Sequence, residues 1–93
     1  MDATLIRRRV VVHGMVQGVG FRYSLTRLAV SRGVVGWVRN RTDGTVEAVL
    51  EGVPDAVDAI VEWCRRGPRG AEIDDVVVQT EEPEGLAGFR IER

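Results

Sequence analysis

The chain has 93 residues, of which 44% are hydrophobic and 29% are charged, and its formal net charge is −1. This length predicts one domain over residues 1–93 with a modest hydrophobic core. The small net charge argues against a general binder of nucleic acids or membrane surfaces, because such proteins are usually basic.

The first part of the chain predicts a strand, a glycine-rich loop and a helix. A strand is predicted over residues 5–13, where a run of valines ends at Gly14. Three glycines in seven positions then predict an irregular loop as far as Gly20. Apolar residues at helical spacing predict a helix over residues 21–32, and Gly33 is placed to end it.

The second part predicts two strands joined by a turn, a helix and two further strands. The strands are expected over residues 34–41 and 45–51, with the turn at Asp43-Gly44. The alternation in the second of them predicts one covered face and one wetter face. Pro54 suits the first turn of a helix over residues 54–66. The remaining strands are predicted over residues 73–80 and 89–91.

This order, β-α-β-β-α-β with a short C-terminal strand, predicts an α+β fold. We expect a ferredoxin-like split β-α-β sandwich, in which two helices cover one face of an antiparallel sheet. The first two strands are then parallel to each other, with the third between them. Their carboxyl ends share one edge, so the topology would bring Arg22 and Asn40 together.

The glycine-rich loop and the arginine that follows it predict a site for a small anion. Gly14, Gly18 and Gly20 allow backbone N–H groups to converge, and a helix N-terminus follows them. Arg22 adds paired donors that suit phosphate oxygens. The loop lacks the Gly-Lys-Ser/Thr ending of a nucleotide-binding loop, which favours a small phosphate over ATP. A glycine-rich turn that binds nothing is the alternative interpretation of the loop alone.

Asn40 is the second candidate, because asparagine is uncommon in strands. Its amide could orient a water molecule beside a bound phosphate, although it is too weak a base to deprotonate that water. The alternative is a turn residue that bonds to its own backbone. Arg39 and Arg41 alternate with Asn40, so we expect them to point the other way as solvated charges.

Two segments, Gly14–Arg22 and Gly36–Glu47, resemble the acylphosphatase family in their order and spacing, and Gly52 and Gly67-Pro68 follow them. The resemblance covers essentially the whole chain. It implies metal-independent hydrolysis of acyl phosphates to a carboxylate and inorganic phosphate, without a cofactor. It implies that Arg22 binds the phosphate and that Asn40 positions the attacking water. The implied phosphate-binding loop consists of Met15, Val16, Gln17, Gly18, Val19, Gly20 and Phe21.

Other reactive or charged residues are interpreted as structural or solvated. His13 could act as a base, but a histidine outside the site at the end of a strand is the preferred interpretation. Cys64 is expected to be buried on the second helix, with no disulfide and no metal site. Trp37 and Trp63 are expected to pack rather than to stack on a ligand. The arginine run 7–9 and the carboxylate pairs 74–75 and 81–82 are expected to be solvated.

Two alternative functions share this fold. One is a non-catalytic module that binds phosphate or carbamoyl phosphate, since an acylphosphatase-like domain also begins the hydrogenase-maturation carbamoyltransferases. The other is an RNA-recognition domain, which the 5% aromatic content disfavours because such domains stack bases on sheet aromatics. We expect a complete, monomeric, cytoplasmic protein that acts on a small acyl phosphate and has no nucleic-acid or membrane partner.

Overall fold

Five strands and two helices make up the computed structural model, which describes residues 4–93. Residues 1–3 of the predicted domain lie outside the described residues. The elements are β1 (Ile6–Met15), α1 (Phe21–Ser31), β2 (Val35–Asn40), β3 (Val46–Gly52), α2 (Pro54–Cys64), β4 (Glu72–Glu81) and β5 (Phe89–Ile91). The predicted order is confirmed. The main difference in bounds is that β1 runs two residues past its predicted end at His13.

The strands form one sheet in the order β4-β1-β3-β2-β5. β1 lies between β3 and β4, and β2 pairs with β3, all in antiparallel register. The predicted antiparallel sheet is thus confirmed for these four strands, and the short appended strand β5 makes the sheet mixed because it pairs in parallel with β2. β4 ends at the same end of the sheet at which β2 begins. The chain then crosses the sheet at that end and enters β5 beside β2.

Both helices pack on one face of the sheet, as predicted. α1 buries Phe21, Leu25 and Ala29, which recur at the four-residue spacing of one helical face. It ends where Gly33 adopts a positive φ of 69°. α2 begins at Pro54 and buries the predicted apolar stripe with Ala56 at its start. The residues of that helix face are Ala56, Val57, Ile60, Val61 and Cys64.

The outer face of the sheet, turned away from the helices, is more covered than the sequence predicts. All seven residues of β3 are buried, including Glu47 and Glu51. The predicted wetter face of this strand is therefore wrong. Long side chains of the neighbouring strands cover it, because β3 lies at the centre of a five-stranded sheet.

An ion-pair network forms this cover. Arg7 is 5% exposed, and its Nε donates a 2.8 Å hydrogen bond to Glu81. Arg9 bonds to Glu81 at 2.6 Å and also pairs with Glu47, which accepts a second bond of 2.7 Å from Arg39. The prediction of solvated charges is therefore wrong for Arg7, Arg9 and Glu81. Strand pairing places arginines of β1 beside glutamates of β3 and β4, which a charge run alone does not reveal.

Candidate active site

A β-bulge in β1 sets the direction in which the glycine-rich loop leaves the strand. The pairing of β1 with β4 shifts register between His13 and Gly14. Gly14 has a φ of 130°, and a Cβ there would lie 2.1 Å from the carbonyl oxygen of Glu72. Only glycine fits this close approach. The strand then continues to Met15 and releases the chain as a loop over residues 16–20.

The loop ends on the first turn of α1 without a side-chain cap. Gly20 is the N-cap residue, with a left-handed φ of 77°, and among the described residues no side chain accepts a hydrogen bond from the first N–H groups of the helix. No acidic residue lies in that turn. The positive end of the helix dipole therefore faces the loop without a protein anion, which favours an anionic ligand.

A cavity of about 160 Å³ lies between the loop, the start of α1 and the end of β2. Arg22 and Asn40, 18 positions apart in the sequence, both line it, as the topology predicts. Within residues 4–93, neither side chain has a hydrogen bond or ion pair to the protein. The lining residues are Val16, Gly18, Gly20, Phe21, Arg22, Tyr23 and Asn40.

Three residues of the predicted phosphate-binding loop do not line this cavity. Met15 ends β1 and is 67% exposed. Val19 packs against the hydrophobic core. Gln17 turns its side chain towards the chain between β2 and β3. Tyr23 also lines the cavity. It was not predicted, because nothing in the motif distinguishes it from other exposed residues of α1.

Strand alternation separates Asn40 from its charged neighbours. Asn40 ends β2 two residues after Val38, which is in the core, so Asn40 lies on the helix side of the sheet. Arg39 lies on the outer face, where its guanidinium is 5.6 Å from the centre of the Trp37 ring. The Arg39 side chain is exposed, as predicted, and in addition it forms an ion pair with Glu47. His13 follows the core residue Val12, which places it on the outer face too.

Gln17 joins the loop to the turn that follows Asn40. Its amide nitrogen donates hydrogen bonds to the carbonyl oxygens of Arg41 and Thr45, at 2.8 and 2.9 Å. The sequence predicts Gln17 only as one residue of the loop lining, and these hydrogen bonds to the turn are an additional, unpredicted role. An uncharged side chain with two donors, placed among glycines, was the available signal.

The turn is stiffened from within as well. The backbone N–H and the hydroxyl of Thr45 both donate to Oδ1 of Asp43, at 3.0 and 2.6 Å. These bonds to Thr45 lower the pKa of Asp43. A turn held by Gln17 on one side and by Asp43 on the other fixes the backbone on which Asn40 stands.

The groups available for binding in this site are backbone N–H groups and side chains. Within residues 4–93, no three histidine, cysteine or acidic side chains are grouped as metal ligands would be. Backbone N–H groups, one guanidinium and one amide can bind a small anion and hold a water beside it.

No helix in the described part of the chain has the length and apolar character needed to cross a bilayer.

Comparison with known proteins identifies the family. The acylphosphatase family model matches residues 8–91. An acylphosphatase of Nostoc is 57% identical over 92 residues, which cover 99% of this chain and 91% of that protein. The crystal structure of the Bacillus subtilis acylphosphatase superposes with a TM-score of 0.91 at 38% identity, covering 97% of this chain and 100% of the other.

A larger protein contains a similar unit. The structure of full-length HypF in its phosphate- and nucleotide-bound form matches with a TM-score of 0.93 at 26% identity. The match covers all of this chain but only 12% of HypF. The relatives that match over nearly their full length are instead named acylphosphatase.

Proposed function

This chain belongs to the acylphosphatase family, and on that premise we propose that it hydrolyses the carboxyl–phosphate bond of small acyl phosphates. The observation that carries the proposal is the cavity that Arg22 and Asn40 share with the glycine-rich loop. Both side chains are free of protein partners among residues 4–93. They are therefore available to a substrate and to a water molecule.

The loop and Arg22 bind the phosphoryl group. Gly18 and Gly20 have positive φ values of 79° and 77°, and a Cβ at either position would meet open space. The backbone N–H groups around these glycines can therefore approach an anion closely. Arg22 contributes a fixed positive charge with two parallel donors. Together they stabilise the charge that spreads over the phosphoryl oxygens in a loose transition state.

Asn40 orients the attacking water. Its amide oxygen accepts a hydrogen bond from the water, which holds the water in line with the leaving carboxylate. The amide does not take a proton at neutral pH, and His13 lies on the other face of the sheet. The proton of the water therefore passes to an oxygen of the phosphoryl group, while the P–O bond to the acyl group breaks and the carboxylate leaves.

We further propose one domain that works as a monomer in the cytoplasm. Its substrate is a small acyl phosphate and its product anion is inorganic phosphate, with no cofactor. A buried free thiol, Cys64, suits a reducing compartment.

The non-catalytic binding module is the less favoured alternative. Its support is the similarity to one part of HypF, whose structure holds phosphate and a nucleotide. That similarity is 26% in identity, against 57% for the acylphosphatase of Nostoc. Binding of phosphate without turnover would favour the module.

The test is hydrolysis of benzoyl phosphate in the presence of a chelator by the wild type, Arg22→Gln and Asn40→Ala. We expect both variants to lose at least about 100-fold in kcat, the scale on which removal of a charge-stabilising group acts. Phosphate binding, measured by calorimetry, should weaken in Arg22→Gln and persist in Asn40→Ala. A wild type that binds phosphate without hydrolysing benzoyl phosphate would overturn the enzymatic proposal. Activity retained by Asn40→Ala would overturn the role of Asn40 alone.

A further inference from the structure

Asn40 separates two cavities. It lines the cavity of the phosphate-binding loop and also a second cavity of about 270 Å³. Asn40 is the residue that the two linings have in common. The second lining is formed by Arg39, Asn40, Arg41, Thr42 and Arg93. Three of the residues that line this cavity are therefore arginines, and they border Asn40, to which we assign the water.

β5 brings Arg93 to this place. β5 pairs in parallel with β2, with Ile91 beside Val38, and the N–H of Glu92 donates a 2.8 Å hydrogen bond to the carbonyl of Val38. Arg93 follows Ile91 by two residues, as Asn40 follows Val38. The parallel register thus sets Arg93 level with Asn40 and on the same side of the sheet.

The three guanidinium groups differ in their availability. Arg39 is engaged by Glu47 at 2.7 Å. Arg41 is 3.8 Å from Oδ2 of Asp43, which is longer than a hydrogen bond. Within residues 4–93, Arg93 makes no ion pair. Arg41 and Arg93 thus keep guanidinium donors for a ligand.

We propose that this cavity binds a small carboxylate anion and that the bound carboxylate slows hydrolysis through Asn40. A carboxylate presents two oxygens in a plane, which match the donor fork of a guanidinium. The cavity has no glycine and no helix N-terminus in its lining, so it lacks the converging N–H groups that favour phosphate in the first cavity. The inhibitory effect rests on the proposed function, since it acts on the water that Asn40 holds.

The position of the cavity determines the form of the inhibition. In an in-line displacement, the water and the leaving acyl group lie on opposite sides of the phosphorus. A cavity on the Asn40 side is therefore not the exit of the acyl group, and substrate and carboxylate can be bound together. The carboxylate accepts a hydrogen bond from the NH₂ group of Asn40. It thereby competes with the attacking water for the orientation of that amide. Inhibition should therefore lower kcat and leave KM nearly unchanged.

The test uses malonate as the carboxylate and benzoyl phosphate as the substrate, at constant ionic strength. We expect malonate to lower kcat of the wild type with an inhibition constant in the millimolar range, while inorganic phosphate raises KM by competing at the loop. In Arg41→Gln the malonate inhibition constant should rise about threefold to fivefold, the scale of one partly exposed ion pair. Arg32→Gln, an exposed arginine at the far end of α1, removes the same charge and should leave it unchanged.

Malonate that raises KM alone, or that inhibits the wild type and Arg41→Gln equally, would overturn the second site. A binding measurement separates this outcome from failure of the proposed function. Malonate should shift the backbone amide resonances of Arg41 and Thr42 even in a protein that hydrolyses nothing. If the enzyme is active but malonate shifts none of these resonances, the carboxylate site alone is wrong.

Discussion

Gln17 and Thr45 lie 28 positions apart in the chain, yet the side-chain amide of Gln17 donates a 2.9 Å hydrogen bond to the Thr45 carbonyl. The same nitrogen bonds to the carbonyl of Arg41 at 2.8 Å. The loop assigned to the phosphate and the turn beside Asn40 are therefore joined directly. This connection links the loop to which we assign the phosphoryl group with the segment that carries Asn40, to which we assign the water.

Gln17→Met keeps the length of the side chain and removes both donors. We expect kcat to fall about tenfold or more, because a small misplacement of positioned groups costs that much in rate. Stability should fall by about 1 kcal/mol, since one exposed and one partly buried hydrogen bond are lost. Gln17→Lys, which can donate to both carbonyls, should recover part of kcat. If Gln17→Met changes stability alone, the hydrogen bonds serve folding and not the geometry of the site.

Gly14→Ala should be among the most damaging single changes in the chain. The added Cβ would lie 2.1 Å from the carbonyl oxygen of Glu72, at a φ of 130°. We expect a loss of about 3 kcal/mol or more in unfolding free energy, measured with urea. Gly33→Ala is the matched control, because its φ of 69° is also positive but its Cβ would meet open space. The control should lose about 1 kcal/mol. Equal losses in the two variants would show that the bulge yields to a side chain.

Acid should destabilise the protein through the outer face. Burial alone would raise the pKa of Glu47 and of Glu51, but hydrogen bonds from Arg39 and Arg9 to Glu47 lower its pKa below the ordinary 4.5. Three backbone N–H groups, of Glu84, Gly85 and Leu86, lower the pKa of Glu51 in the same way. Bonds from Arg9 and Arg7 lower the pKa of Glu81.

Each of these carboxylates binds its proton less readily in the folded chain than in the unfolded one. Their contribution to stability is therefore complete above about pH 5 and is lost as the pH falls through the folded pKa values. Urea unfolding at pH 7, 5, 4 and 3 should show a stability that is level and then declines. Glu81→Gln should flatten the decline, whereas Glu72→Gln, exposed at the start of β4, should not. A profile that is the same in all three proteins would contradict this account.

Cys64 should not react in the folded protein. It is fully buried on α2, and burial raises the pKa of its thiol to about 12. Since only the thiolate attacks a disulfide reagent, labelling at pH 8 should be slow in buffer and fast in denaturant. The ratio of the two rates then reports the free energy of opening. Fast labelling in buffer would mean that α2 separates from the sheet far more often than its packing suggests.

The parts predicted correctly from the sequence depend on local patterns. The start of α2 follows from Pro54, the end of α1 from Gly33, and the order of strands from valine runs between turn residues. Once that order gives the topology, Arg22 and Asn40 must share one edge, and the cavity lies there. These inferences need only neighbours along the chain and one choice of fold.

The parts that were predicted wrongly or missed depend on register. Arg7 and Arg9 look solvated in the sequence because their glutamate partners are more than 35 residues away along the chain, in β3 and β4. The hydrogen bonds of Gln17 likewise depend on where the β2–β3 turn lies relative to the loop. A pattern of residue types does not contain these cross-strand distances, so the contacts could not be inferred before the structure.

The two tryptophans report on opposite sides of the molecule. The ring of Trp63 packs 5.1 Å from that of Phe21, the first residue of α1, which lines the cavity shared by Arg22 and Asn40. Trp37 lies on the outer face within 5.6 Å of the guanidinium carbons of Arg9 and Arg39. Replacement of either tryptophan by phenylalanine would leave a single indole, which can be excited selectively above the absorption of Tyr23. The emission of Trp63 would then report occupation of the cavity. The emission of Trp37 would report changes in the ion pairs of Arg9 and Arg39. The sequence therefore already carries two optical probes.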